Sequence, residues 1–211
     1  LGWVPDSAED PAGAGTAETA FRDRSRGIVA ESFRQIRSLI VKRTQQSGHR
    51  TLVVLSGMPG SGATSVVSNL AMASAAADLK ILIIDANFRR PAIHRVFALQ
   101  ESPGLADVLA KVTDFESAVQ ATTTPNLSVL TVGTRDHRIL ERLSNESMME
   151  LLQVARVKYD LVLLDIAPAV VAGDALAVAN RCDASILVVR AFGETRGLVA
   201  RIRNDLSEAR S

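Results

Sequence analysis

The chain has 211 residues, of which 47% are hydrophobic and 22% charged. That is ordinary globular usage, and a chain of this size buries roughly 70% of its unfolded surface. The net charge of +1, the 4% aromatic content and the single cysteine exclude a basic nucleic-acid footprint, an aromatic stacking platform, a disulfide framework and a cysteine-rich metal site. No apolar run approaches the ~18–20 residues of a membrane span.

The chain opens on Leu1 and shows no basic-then-apolar leader, so it reads as a trimmed or processed segment. Residues 1–26 lack a hydrophobic period and are rich in Ala, Gly and acids, with Pro5 and Pro11. They read as a flexible tail or linker ahead of one domain at 27–211. Trp3 reads as a lone aromatic in that tail.

From Ile28 to Lys42 the spacing turns helical, with Val29, Phe33, Ile36, Leu39 and Ile40 on one face. Gly48 breaks it. Five short apolar runs follow: Leu52–Leu55, Ile81–Ile84, Leu127–Val132, Leu161–Leu164 and Ile186–Val189. They are continuous rather than alternating, which suits parallel strands covered on both faces. Helical stretches at Thr64–Ala77, Pro91–Leu99, Ser144–Val157, Asp174–Asn180 and Thr195–Leu206 separate them. The alternation predicts an α/β fold, a doubly wound and mostly parallel sheet flanked by helices.

The first strand runs into Ser56-Gly57-Met58-Pro59-Gly60-Ser61-Gly62-Ala63-Thr64-Ser65, then a helix. A strand, a glycine loop and a helix N-terminus aim free N–H groups and the helix dipole at one spot, which suits an anion. Gly57 and Gly62 fit the P-loop pattern G-x-x-x-x-G-K-[ST], and Thr64 takes the Mg²⁺-ligating hydroxyl position. The lysine position is Ala63. Losing one charged hydrogen bond, about 1.5–3 kcal/mol, weakens binding by roughly 10–150-fold, and phosphoryl transfer loses more. The spacing alone leaves a rival open. Gly60-x-Gly62-x-x-Ser65 with Asp85 approaches the dinucleotide fingerprint, although its third glycine is missing.

Further segments carry a resemblance. Glu31-Ser-Phe-Arg34-Gln-Ile-Arg37, the loop running into Asn69-Leu70-Ala71, and Asp85-Ala-Asn87-Phe-Arg89-Arg90-Pro91 with His94 are three of them. Gly104-Leu105-Ala-Asp107-Val-Leu109, the stretch Gly133–Leu152, Tyr159-Asp160-Leu-Val-Leu-Leu-Asp165, Gly173-Asp174-Ala175 and Asp183–Arg190 complete the order. From Ile28 to Leu206 the chain resembles the bacterial tyrosine kinases (BY-kinases) of capsule and exopolysaccharide synthesis, relatives of the MinD/ParA deviant P-loop ATPases.

The resemblance implies a nucleotide site at Gly57, Pro59, Gly60, Ser61, Gly62, Ala63, Thr64 and Ser65 for ATP or ADP. It implies Mg²⁺ at Thr64, Asp85 and Asp165, with both aspartates catalytic if the chain is active. Glu31, Arg34 and Arg37 correspond to an interface that assembles a homo-oligomer or ring, and Asp174 to a helix N-cap. A membrane-spanning, Wzz-like polysaccharide co-polymerase is the implied partner, which places the chain in the cytoplasm, peripheral at the inner face of the membrane. Nucleic acid is not an expected partner.

The departures fall on chemistry. The family's loop acid is Ser61, its lysine Ala63, its second aspartate Asn87 and its Walker B hydroxyl Ile166. Its proline-rich loop is Arg135-Asp136-His137-Arg138. The last family strand and the tyrosine-rich tail have no counterpart before Ser211, and Tyr159 leads into a core strand. Scaffold positions persist. The expectation is a degenerate member that binds nucleotide weakly, lacks tyrosine kinase activity, and regulates or assembles an export machine. The alternative is a working kinase or ATPase using Arg89, Arg90 or a neighbour's arginine as substitute cation. A ParA/MinD-like positioning ATPase is the lesser alternative, since a second loop lysine and a basic surface are lacking.

Overall fold

The computed structural model describes residues 1–11, 15–134, 136, 138–170 and 174–208. In chain order come α1 (Ala20–Asp23), α2 (Ile28–Ser47), β1 (Thr51–Ser56), α3 (Ala63–Ala75), β2 (Ile81–Ala86), α4 (Ile93–Val96), α5 (Leu105–Leu109) and α6 (Phe115–Ala118). Then follow β3 (Val119–Ala121), β4 (Leu127–Leu130), α7 (Ile139–Leu143), α8 (Glu146–Lys158), β5 (Leu161–Ile166), α9 (Asp174–Ala179), β6 (Ala184–Val188) and α10 (Arg196–Glu208).

The strands form one sheet in the order β3-β4-β2-β5-β1-β6. All neighbours are parallel except β3 with β4. All six residues of β1, of β2 and of β5 are buried. Alternate side chains enter opposite cores, as the strand period requires. Leu52, Val54, Ile81, Ile83, Leu161 and Leu163 join the core under α1–α4. Val53, Leu55, Leu82, Ile84, Val162 and Leu164 join the core under α5–α10. Two covered faces explain why these strands read as unbroken apolar runs.

Three boundaries move for local reasons. The stretch expected as helix over Pro91–Leu99 is one turn capped by Phe97, after which Ala98 takes a left-handed φ of 54°. The β4 strand ends two residues early, because the carbonyls of Thr131 and Val132 turn to accept the N–H groups of Leu105 and Ala106. The α2 helix runs on to Ser47 and stops at Gly48, whose φ of 71° suits glycine. Strand β3 and helices α1, α6 and α7 are too short to show a period.

The expected tail at 1–26 needs correction at several points. Ala20 and Phe21 are buried, and the Phe21 N–H donates to Asn69 Oδ1 on α3 at 2.6 Å. Asn69 Nδ2 donates back to the carbonyls of Ala17 and Ser65, at 2.7 and 2.8 Å. Asp10, also buried, accepts from the Val29 N–H at the start of α2. One aromatic anchor and a few polar bonds hold this segment, so no hydrophobic period announces it. Trp3 stays 77% exposed.

Candidate nucleotide site

The strand order places the C-terminal ends of β2, β5 and β1 side by side, where ligands of open α/β sheets bind. The glycine loop leaves β1 there. Gly60 and Gly62 hold φ values of 83° and 95°. Nothing lies within 4 Å of a Cβ built on either, so it is the backbone conformation that asks for glycine. Gly57 differs: a Cβ there would meet Ile202 Cδ1 at 3.1 Å and Glu194 Cδ at 3.2 Å. Gly62 is the N-cap of α3 and offers no side chain, which leaves the first-turn N–H groups available. The Ser65 hydroxyl donates to Glu18 Oε1 at 3.2 Å.

The β2–β5 register puts Asp85 directly beside Asp165. Thr64, in the first turn of α3, donates its hydroxyl to Asp165 Oδ2 at 2.7 Å. Asp165 Oδ1 is buried and has no hydrogen-bond partner among the described residues. Burial, and then the neighbouring Asp85 charge, push the Asp165 carboxyl well above the usual range, against the Thr64 hydrogen bond. Asp85 accepts from the N–H groups of Asn87, Ala92 and Ile93 at 3.1–3.3 Å. Burial dominates all the same and pushes Asp85 up to about 6. Two adjacent buried carboxylates, one with an orphaned oxygen, beside a threonine hydroxyl, fit a hard divalent cation such as Mg²⁺. Thr64, Asp85 and Asp165 would hold it, directly or through water, and it would supply positive charge beside a phosphate.

The structure thus brings together Gly57, Pro59, Gly60, Ser61, Gly62, Ala63, Thr64 and Ser65 with Asp85 and Asp165. Among the described residues, no lysine or arginine is hydrogen-bonded or ion-paired to a side chain of the loop. Ala63 is buried, and Arg89 and Arg90 are exposed. Asn87 keeps its side chain for the turn: its Oδ1 accepts from the Arg90 N–H at 3.2 Å. His94 stands 4.0 Å from Glu101. Tyr159 is half-buried against the core. Glu31, Arg34 and Arg37 lie apart from the loop, on α2. Arg34 bonds Glu31 and the Ser25 carbonyl and stacks over Phe21, while Arg37 donates to the Ala73 carbonyl. In the loop after β4, Asp136 pairs with Arg142 at 2.6 Å. Arg135, His137, Gly173 and the capping side chain of Asp174 lie outside the described residues.

One site residue escapes sequence reasoning. Glu194, in the β6–α10 connection, accepts from the Met58 N–H at 3.2 Å and from the Ser61 hydroxyl at 2.5 Å. Its other oxygen, Oε2, is buried without a partner among the described residues. A Glu between Gly193 and Thr195 carries no motif of its own. Only the pairing of β6 beside β1 reveals where it falls.

A mostly parallel sheet with a glycine loop between β1 and α3 and an acid ending β5 defines the class of MinD-like P-loop ATPase folds. The AAA-domain family profile matches residues 49–192. The tyrosine-protein kinase YwqD of Bacillus subtilis is 32% identical over 186 residues, covering 88% of this chain and 78% of YwqD. The tyrosine-protein kinase Etk of Escherichia coli K12 is 31% identical over 171 residues, covering 81% of this chain and 23% of Etk. The solved kinase domain of Escherichia coli ETK superposes with a TM-score of 0.87 at 27% identity, over 99% of this chain and 83% of that one. MinD of Pyrococcus horikoshii, solved with Mg-ADP, gives 0.57 at 27% identity over 66% of this chain and 57% of its own. The chain belongs to the bacterial tyrosine-protein kinase family. It spans most of YwqD but less than a quarter of Etk.

Proposed function

We propose that the chain is a BY-kinase-type module whose nucleotide site no longer performs tyrosine phosphorylation. Its role is regulation or assembly of a capsule or exopolysaccharide polymerisation and export machine. It works in the cytoplasm, held at the inner face of the membrane by a membrane-spanning polysaccharide co-polymerase. No helix among the described residues is long and apolar enough to cross a membrane itself. One observation supports the reading: Thr64, Asp85 and Asp165 stand together in an arrangement that would suit a cation, while position 63 offers the phosphate loop only a methyl group. A cation site without the loop lysine supports weak ATP or ADP binding but not stabilisation of a transferring phosphoryl group.

The test is calorimetric titration of wild type and Ala63→Lys with Mg-ADP and Mg-ATP, alongside a phosphotyrosine assay with ATP. Weak wild-type binding, at least tenfold tighter binding by Ala63→Lys, and no phosphotyrosine are expected. ATP-dependent tyrosine phosphorylation by the wild-type chain overturns the reading.

The second reading is an active kinase or ATPase that takes its cation from a neighbour's arginine. The exposure of Arg89 and Arg90 at the turn after Asp85 favours it. Hydrolysis that Arg89→Ala or Arg90→Ala abolishes would establish it. Homo-oligomer or ring formation through Glu31, Arg34 and Arg37 belongs to either reading.

A further inference from the structure

We infer that Glu194 is a latch on the phosphate loop, an anion supplied by the chain itself that nucleotide must displace. The inference rests on reading the loop as a nucleotide site. A P-loop attracts anions through its backbone N–H groups and the helix dipole. Here the anion within reach is a carboxylate of the β6–α10 connection, bonded to the Met58 N–H and the Ser61 hydroxyl. A carboxylate accepting two such bonds holds the loop more firmly than a neutral acceptor would.

The surroundings favour the contact from both sides. Glu194 Oε2 is buried and has no hydrogen-bond partner among the described residues. The loop supplies no lysine at position 63 that would draw a phosphate in ahead of the carboxylate. Gly57 is packed against the Glu194 carboxyl, and any Cβ there would press on it. The connection itself is strained. Phe192 holds a φ of 60° while fully exposed, and the Gly193 N–H bonds back to the Arg190 carbonyl at 3.0 Å. A bulky residue in the left-handed region without packing to hold it there stores energy that release returns. Swinging Glu194 outward frees the Met58 N–H and the Ser61 hydroxyl and bares the loop for phosphate.

The experiment compares Mg-ADP and adenosine binding by calorimetry in the whole chain. The variants are Glu194→Gln, Glu194→Ala, Ser61→Ala and Ala63→Lys. A latch predicts that both Glu194 substitutions tighten Mg-ADP by about tenfold to a hundredfold, the range of one charged hydrogen bond. Ser61→Ala, which removes the donor to Oε1, tightens it in the same direction. Adenosine, which carries no phosphate, stays within about twofold. Unchanged or weaker Mg-ADP binding by both Glu194 variants overturns the latch, as does equal tightening of adenosine. If Ala63→Lys binds Mg-ADP in that case, the nucleotide reading stands and only the latch has failed. If none of the four variants binds, both have failed.

Discussion

Thr64 and Asp165 stand 101 residues apart in the chain, yet the threonine hydroxyl meets the aspartate Oδ2 at 2.7 Å. The bond ties the start of α3 to the end of β5 and leaves the other Asp165 oxygen facing a site it shares with Asp85.

That pair makes stability fall as pH rises. Burial lifts both carboxyls above their unfolded value of 3.8, Asp85 to about 6 and Asp165 well above 3.8. The folded chain therefore binds more protons, and its stability drops from about pH 4 upward through the folded values. At about 1.4 kcal/mol per unit, Asp85 alone accounts for about 3 kcal/mol. In EDTA, the melting temperature of wild type should fall between pH 4.5 and 7.5. Asp165→Asn should flatten that fall and abolish rescue by millimolar Mg²⁺. A wild-type profile without this fall removes the argument.

Asp107 has the opposite sign. Burial raises its carboxyl, but hydrogen bonds from the Thr134 and Gly104 N–H groups and the Thr134 and Ser102 hydroxyls outweigh it and hold the carboxyl below 3.8. Its stabilisation is full above about pH 4 and is lost as pH falls through the folded value. Asp107→Ala orphans the two N–H groups and should cost about 2–4 kcal/mol in urea unfolding at pH 7. Gly133→Ala should match it, since φ is 82° and the new Cβ would lie 2.5 Å from Asp107 Oδ2. A midpoint shift worth less than about 0.5 kcal/mol in either would contradict the packing.

Phe21→Ala should lower stability by about 3 kcal/mol, the scale of emptying a buried aromatic site. Asn69→Leu should speed amide exchange over residues 17–23, because it removes the acceptor for Phe21 and the donor to Ala17. Exchange at Phe21 as fast as at Leu1 in wild type would return the segment to the tail its composition suggests.

Arg34→Glu tests the assembly proposal. Its pairing with Glu31 is largely exposed, but the change also gives up the Ser25 carbonyl bond and the Phe21 contact, so it should cost about 1–2 kcal/mol of fold stability. Light scattering should nevertheless show a smaller species than wild type. An unchanged mass would remove α2 from any interface.

The parallel core was legible because its strands are covered on both faces, which forces the unbroken runs at residues 52–55, 81–84 and 161–164. The glycine loop was legible because a strand, a glycine run and a helix follow one another directly, and Asp85 and Asp165 were named through the family resemblance. Strand β3 was not, since three residues of edge strand carry no period. Phe21 was hidden for the same reason, and Pro91–Leu99 misled because its composition does not announce the cap at Phe97 or the left-handed Ala98 after it. Glu194 depends on which strand lies beside β1, and sheet order is written nowhere in the local sequence.

The Asn69 bracket also has a mechanical meaning. One side chain grips Phe21, Ala17 and Ser65 at once, and Ser65 adjoins Thr64 at the start of α3. The N-terminal segment and the first turn of the phosphate-loop helix are therefore fastened at a single side chain, and neither can shift against the other without breaking those bonds.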